Sequence, residues 1–243
     1  MTAQDDTQLA TPDLEVVVEA DGLARTFPGP PPVIALRPCS FTILRGEYVA
    51  ITGVSGSGKT TLLSLLGLLD VPSDGRYLLD GADVAGLSDR RRSAVRARRI
   101  GFVFQAFHLI GYRSVLDNVE LGLLYQGIPK RRRRTRALEV VEQVGLGHRQ
   151  HALCSRLSGG EKQRVAIART LVREPSLVLC DEPTGNLDSG TTAQVLGLVD
   201  ELHRAGLTIV IITHDPAIAA HAQRNLVISD GTLTEPGRID AAT

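Results

Sequence analysis

The chain has 243 residues, of which 43% are hydrophobic, enough for one domain with a sizeable core and too many for an intrinsically disordered protein. Its 27 basic residues balance its 27 acidic ones. Because a dedicated nucleic-acid binder normally carries a basic surplus, no nucleic-acid partner is expected.

The first 13 residues are polar and acidic. They lack the basic and apolar regions of a secretory signal and are expected to form a flexible tail. One domain is expected over 14–235, followed by a tail over 236–243. Strand structure is expected to begin at Leu14-Glu15-Val16-Val17-Val18, and Pro28-Gly29-Pro30-Pro31-Pro32 reads as a turn cluster among the early strands. Cys39, Cys154 and Cys180 are widely spaced and form no C-x-x-C pair. They therefore signal neither a zinc site nor a redox motif and fit a reducing compartment. No apolar run approaches the roughly 18 residues that a bilayer span needs, so the chain is expected to serve any membrane from the cytosolic side.

Gly46 to Thr52 reads as a buried strand and Thr60 to Leu69 as a leucine-rich helix. Between them lies Gly53-Val54-Ser55-Gly56-Ser57-Gly58-Lys59-Thr60, which matches G-x-x-x-x-G-K-[ST]. In this pattern the glycines let backbone N–H groups wrap around phosphate oxygens. Lys59 supplies positive charge for the β- and γ-phosphates, and the Thr60 hydroxyl is a magnesium ligand. The helix that follows points its positive end at the same anion, and Thr61 belongs to that first turn. ATP and magnesium are the ligands this pattern predicts.

From about 85 to 165 the chain is arginine-rich and reads as mostly helical. The runs Arg90-Arg91-Arg92 and Lys130-Arg131-Arg132-Arg133-Arg134 have no interleaved aromatics for base stacking and read as solvated helix starts. Apolar strands at Leu177 to Cys180 and Leu207 to Ile212 flank a helix at Thr191 to Leu202, and Val227 to Gly231 suggests a terminal hairpin. Apolar strands without polar alternation, separated by helices, predict an α/β fold with a parallel sheet covered on both faces. The strand ending in Asp181 is followed at once by Glu182, which places two carboxylates where such sheets carry their sites. Asp181 is expected to hold magnesium and Glu182 to orient or deprotonate the attacking water. His214, just past the next parallel strand, is placed to donate a hydrogen bond to the γ-phosphate.

These segments together identify the chain as resembling the ATP-binding subunits of ABC transporters. Leu157-Ser158-Gly159-Gly160-Glu161 resembles the signature LSGGQ, with Glu in the last place, and is joined to the Asp181 strand by the helix Glu161–Val172. Gln105 resembles the Q-loop glutamine, Asn186-Leu187-Asp188 the D-loop and His214 the switch histidine. The resemblance implies a P-loop NTPase domain of ABC type: a mixed or parallel sheet core, an N-terminal antiparallel β subdomain and a helical signature subdomain at about 106–165. It also implies a head-to-tail dimer, of two copies or with a paralogous ATPase. Each ATP would be held by the P-loop of one subunit and by Ser158, Gly159 and Gly160 of the other, with Glu161 and Asp188 nearby. It implies Gln105 as a further magnesium contact and an aromatic residue stacked on adenine, for which Phe27 is the candidate, being the only aromatic before Phe41.

The wider assembly implied is a separate transmembrane permease at the cytoplasmic face of the plasma (inner) membrane, on which the ATPase sits peripherally. Asp181-Glu182-Pro183-Thr184-Gly185-Asn186-Leu187-Asp188, with FVFQAFHLI and LDNVELGLLYQG, resembles the macrolide-export and lipoprotein-release branch. The cell-division ATPases are an alternative. Soluble ABC ATPases of translation or DNA repair fit less well, since this chain has one P-loop and only about a hundred residues between P-loop and signature.

Overall fold

The computed structural model describes residues 15–236. Leu14, the tail expected at 1–13 and all but the first residue of the tail expected at 236–243 lie outside the described residues. The first half begins with strands β1 (Val16–Phe27) and β2 (Val33–Leu44), joined through the proline-rich turn. Strand β3 (Tyr48–Thr52) and helix α1 (Lys59–Leu66) flank the glycine-rich loop. They are followed by β4 (Asp74–Leu79), β5 (Ala82–Asp83), α2 (Asp89–Arg99) and β6 (Ile100–Phe104). A helical segment contains α3 (Val115–Glu120), α4 (Lys130–Gln143) and α5 (Gly159–Leu171). The remainder alternates: β7 (Leu177–Asp181), α6 (Ser189–Arg204), β8 (Ile209–Thr213), α7 (Pro216–Ala219), β9 (Arg224–Ser229) and β10 (Thr232–Thr234).

Two sheets result. The first is antiparallel in the order β2-β1-β4-β5. The second has the order β10-β9-β3-β8-β7-β6, parallel throughout except for the edge hairpin β9-β10. Its central strands are apolar on both faces because both are covered. Tyr48, Ala50, Ile209 and Ile211 face a core shared with the helical segment through Val115, Leu116, Val141 and Val165. Val49, Ile51, Val210 and Ile212 face the opposite core, filled by Leu62, Leu63, Leu65 and Leu66 of α1 and by the antiparallel sheet. Period-two alternation therefore operates, but between two cores instead of core and solvent.

One expectation needs correction. The helix expected to run to Leu69 stops at Leu66. Gly67 caps it, Leu68 turns left-handed with φ 54°, and Leu69 N–H returns to the Ser64 carbonyl, which closes the end in a Schellman-like turn. The arginine-rich middle is mostly helical as expected, and it also holds a strand not foreseen, β6, the edge strand that pairs with β7. This strand was hidden because only five residues separate the arginines of α2 from the loop that follows.

The helical segment is fixed by a polar residue inside its core. Asn118 is fully buried, accepts a hydrogen bond from Ile110 N–H at 2.9 Å and donates to the Ile110 and Ser114 carbonyls at 3.1 and 3.0 Å. Replacing it with leucine leaves the buried Ile110 N–H without its acceptor, while the Ile110 and Ser114 carbonyls keep the backbone N–H groups of Arg113 and residue 118. Asn118→Leu is expected to destabilise the protein by about 3 kcal/mol, read as a fall in Tm of roughly 6–12 °C by calorimetry.

Candidate nucleotide site

Parallel strands deliver the site residues to one end of the second sheet. The glycine-rich loop leaves β3, Asp181 ends β7, and Glu182 and His214 follow β7 and β8. Their carboxyl ends frame a cleft of about 1000 Å³, lined by loop residues Val54, Ser55, Gly56, Gly58, Lys59, Thr60 and Thr61 and by Asp181, Glu182 and His214.

The loop can take its path only with glycine at certain places. A Cβ on Gly53 would run into the Ile228 carbonyl oxygen, and one on Gly58 would come within 2.5 Å of the Ala35 carbonyl oxygen. Gly58 also has φ 114°, which strains any L side chain. The Lys59 ammonium lies across the loop, donating to the carbonyls of Gly53 at 2.7 Å and Val54 at 2.8 Å. Ser57 Oγ is buried without a hydrogen-bond partner among the described residues, an uncompensated polar atom in a loop otherwise suited to phosphate.

Burial and the neighbouring Glu182 carboxylate push the Asp181 carboxyl above the ordinary carboxylate range, while the Lys59 ammonium pulls it down. Two adjacent acids beside a lysine and the Thr60 hydroxyl suit a hard divalent cation that takes its remaining oxygens from phosphate and water. The donor set thus fits magnesium–ATP. Glu182 is held in a left-handed conformation with φ 46°. Its Oε1 lies 2.5 Å from His214 Nδ1 and accepts the His214 backbone N–H at 3.1 Å, while the Thr213 hydroxyl donates to Oε2 at 3.3 Å.

Other nominated residues lie elsewhere. Gln105 stands one residue past Phe104, whose ladder partner is Asp181. Its carboxamide is paired with Asn186. Ser158, Gly159 and Gly160 open α5 and are not among the residues lining the cleft of their own chain. Ser158 and Glu161 form a capping box: Ser158 Oγ accepts Glu161 N–H at 3.2 Å and Glu161 Oε2 accepts Ser158 N–H at 2.8 Å. Arg149 donates to the other Glu161 oxygen at 3.1 Å. The Ser158 N–H foremost, with Arg149, holds the Glu161 carboxyl below its ordinary range. Asp188 caps α6 by accepting the Thr191 N–H at 3.0 Å and hydroxyl at 2.6 Å, which lowers its own carboxyl in the same way. Sequence reasoning gave Glu161 and Asp188 to nucleotide contact. Their capping roles are legible in the S-x-x-E and D-x-x-T spacings.

Phe27 ends β1 opposite Val33, with one ring face covered by the Arg25 guanidinium at 4.5 Å. It is not among the residues that line the cleft, whereas Val33 and Ile34, exposed and apolar, are. Neither was singled out from sequence; an apolar pair exposed just after a proline turn was the available signal.

Helix α5 is tied to the strand and loop that carry Gln105. Thr170 Oγ1 donates to the Phe102 carbonyl at 2.7 Å and Gln163 Nε2 to that of Phe104 at 3.4 Å. The Arg169 guanidinium donates to the carbonyls of Phe107 at 3.0 Å and His108 at 2.6 Å.

Comparison with known proteins agrees with this geometry. Residues 36–185 match the protein-family profile described as ABC transporter. The chain is 47% identical over 223 residues to the lipoprotein-releasing system ATP-binding protein LolD of Bordetella pertussis, covering 91% of this chain and 96% of that protein. It is 43% identical over 226 residues to the macrolide export ATP-binding/permease protein MacB 1/2 of Paracoccus denitrificans, covering 93% of this chain but only 34% of that protein. Among solved structures, the dimeric post-hydrolysis state of the ATP-binding cassette MJ0796, bound to ADP and Pi, superposes with a TM-score of 0.80 at 35% identity, covering 91% of this chain and all of that one. With the phosphate loop, paired carboxylates and signature turn in place, the chain belongs to the ABC transporter family, as an ATP-binding, ATP-hydrolysing subunit.

Proposed function

We propose that this ATPase powers a separate membrane permease of the macrolide-export or lipoprotein-release type, as a dimer that closes on two ATP molecules. The observation that carries the dimer is the separation within one chain: the cleft contains the phosphate loop, Asp181, Glu182 and His214 but none of the signature turn. A second chain supplying Ser158, Gly159 and Gly160 completes each site, and the dimeric MJ0796 cassette supports this arrangement.

In this reading, the loop N–H groups, Lys59 and the start of α1 hold the β- and γ-phosphates. Thr60, Asp181 and Gln105 would hold magnesium, which when bound would supply positive charge beside the phosphoryl oxygens. Glu182 orients and deprotonates the attacking water, and His214 donates to the γ-phosphate while its ring is steered by Glu182. Phe27, Val33 and Ile34 form the adenine platform. Phe27→Ala is expected to weaken ATP binding by roughly three- to tenfold, consistent with loss of one stacking contact. Equilibrium titration with a fluorescent ATP analogue checks this, and unchanged affinity would leave Val33 and Ile34 as the platform.

Among the described residues no helix is long and apolar enough to cross a membrane. A groove of about 470 Å³ between the end of β6 and α5, lined by Phe102, Phe104, Tyr125 and Arg173, supports a docking place for the permease. Tyr125 is 88% exposed there. Burial, and next to it the Arg169 charge, draw the Arg173 guanidinium below its ordinary range. Affinity purification from solubilised membranes tests the proposal. Recovery of a permease with four spans and a large extracytoplasmic domain, which stimulates ATP turnover in proteoliposomes, is the expected result. An active ATPase recovered without such a partner would count against it.

A further inference from the structure

A carboxamide has one end that ligates a hard cation, its oxygen, and one that does not, its NH2. A glutamine that must meet magnesium therefore needs its amide turned the right way. The surroundings of Gln105 determine that orientation. Its backbone carbonyl oxygen, which can only accept, lies 3.0 Å from the Asn186 side chain, so the atom there is Nδ2. The other end of the Asn186 amide is then Oδ1, which can also only accept. The Gln105 atom 3.1 Å from it is consequently Nε2. Gln105 Oε1 accepts no hydrogen bond from the described residues and is the end left over. One backbone carbonyl thus sets the polarity of two successive amides.

The neighbouring residue makes room for this arrangement. A Cβ on Gly185 would stand 2.7 Å from Gln105 Nε2 and 3.0 Å from its Cδ, so the carboxamide lies flat on a bare backbone. The β6–β7 ladder pairs Phe104 with Asp181, which brings Gln105 beside the carboxylate pair.

We propose that Asn186 is a positioning residue that locks the Gln105 carboxamide with its oxygen toward the metal. The inference rests on the reading of Gln105 as a magnesium contact. It assigns to Asn186 a role in metal affinity that does not require Asn186 to touch metal or nucleotide.

The test uses Mn2+ as the probe, in Glu182→Gln protein with equimolar ATP, and reads affinity from the manganese EPR signal. Asn186→Leu is expected to weaken Mn2+ binding about fivefold, the equivalent of one ordinary hydrogen bond, with metal-free ATP affinity unchanged. Gly185→Ala, which displaces the carboxamide without touching Asn186, is expected to give a similar loss. In a Gln105→Glu background, where either carboxylate oxygen can ligate, Asn186→Leu should change Mn2+ affinity by less than about twofold. A purely structural role would lower affinity equally in both backgrounds and would overturn the proposal. Gln105→Leu separates the two readings. If it leaves Mn2+ affinity unchanged, Gln105 is no ligand and both fall. If it weakens binding while Asn186→Leu does not, only the positioning role falls.

Discussion

Glu182→Gln is expected to keep ATP bound while lowering turnover by about three orders of magnitude, within the range that general-base catalysis supplies. The amide preserves the volume of the carboxylate: its oxygen can still accept the His214 N–H, 3.1 Å away in the acid, and its NH2 can donate to the Thr213 hydroxyl oxygen, 3.3 Å from the other acid oxygen. What it cannot do is take a proton from water. The loop, Lys59 and Thr60 are untouched, so nucleotide affinity should persist, and the unhydrolysed γ-phosphate should trap a dimer. Steady-state phosphate release gives the loss, equilibrium dialysis the retained affinity, and size-exclusion chromatography with ATP the dimer. Turnover within tenfold of the parent would remove Glu182 from the role of base.

The second large effect concerns the signature turn. In the Glu182→Gln protein, Ser158→Arg is expected to abolish the ATP-driven dimer while leaving ATP affinity of the single chain unchanged. Ser158 lines no part of its own cleft, so the bulky cation should be felt only by a second copy. The substitution also removes the cap that Ser158 Oγ gives to Glu161 N–H, at a cost of about 1 kcal/mol, so a small fall in Tm is anticipated but not unfolding. Light scattering with and without ATP distinguishes the outcomes. A dimer that forms as before would place the signature outside the interface. Loss of ATP binding by the monomer would mean that Ser158 serves its own cleft.

The parts of the site that were readable in the sequence are those whose chemistry is local. The phosphate loop is written in consecutive residues because its backbone path excludes Cβ atoms at Gly53 and Gly58. Asp181 and Glu182 are adjacent on one strand end, and His214 follows an unmistakably apolar strand. Features that depend on distant partners were not readable. Asn118 is an ordinary asparagine until Ile110 and Ser114 are folded around it. Val33 and Ile34 become a cleft wall only because β2 crosses beside the loop, where Ala35 nearly touches Gly58. Strand β6 follows directly on a helix, so its pairing with β7, and not its own pattern, defines it. Glu161 and Asp188 show how a motif can be placed correctly while its geometry adds a second role, since both carboxylates already serve helix starts.

The carbonyls of Phe102, Phe104, Phe107 and His108 are each gripped by a side chain of α5. The grip spans the junction between the edge of the sheet and the helical segment, so the helix that begins with Ser158 is bonded directly to both sides of the peptide that bears Gln105. In the proposed dimer, a shift of the Ser158 end of α5 would reach the Gln105 peptide through these four carbonyls.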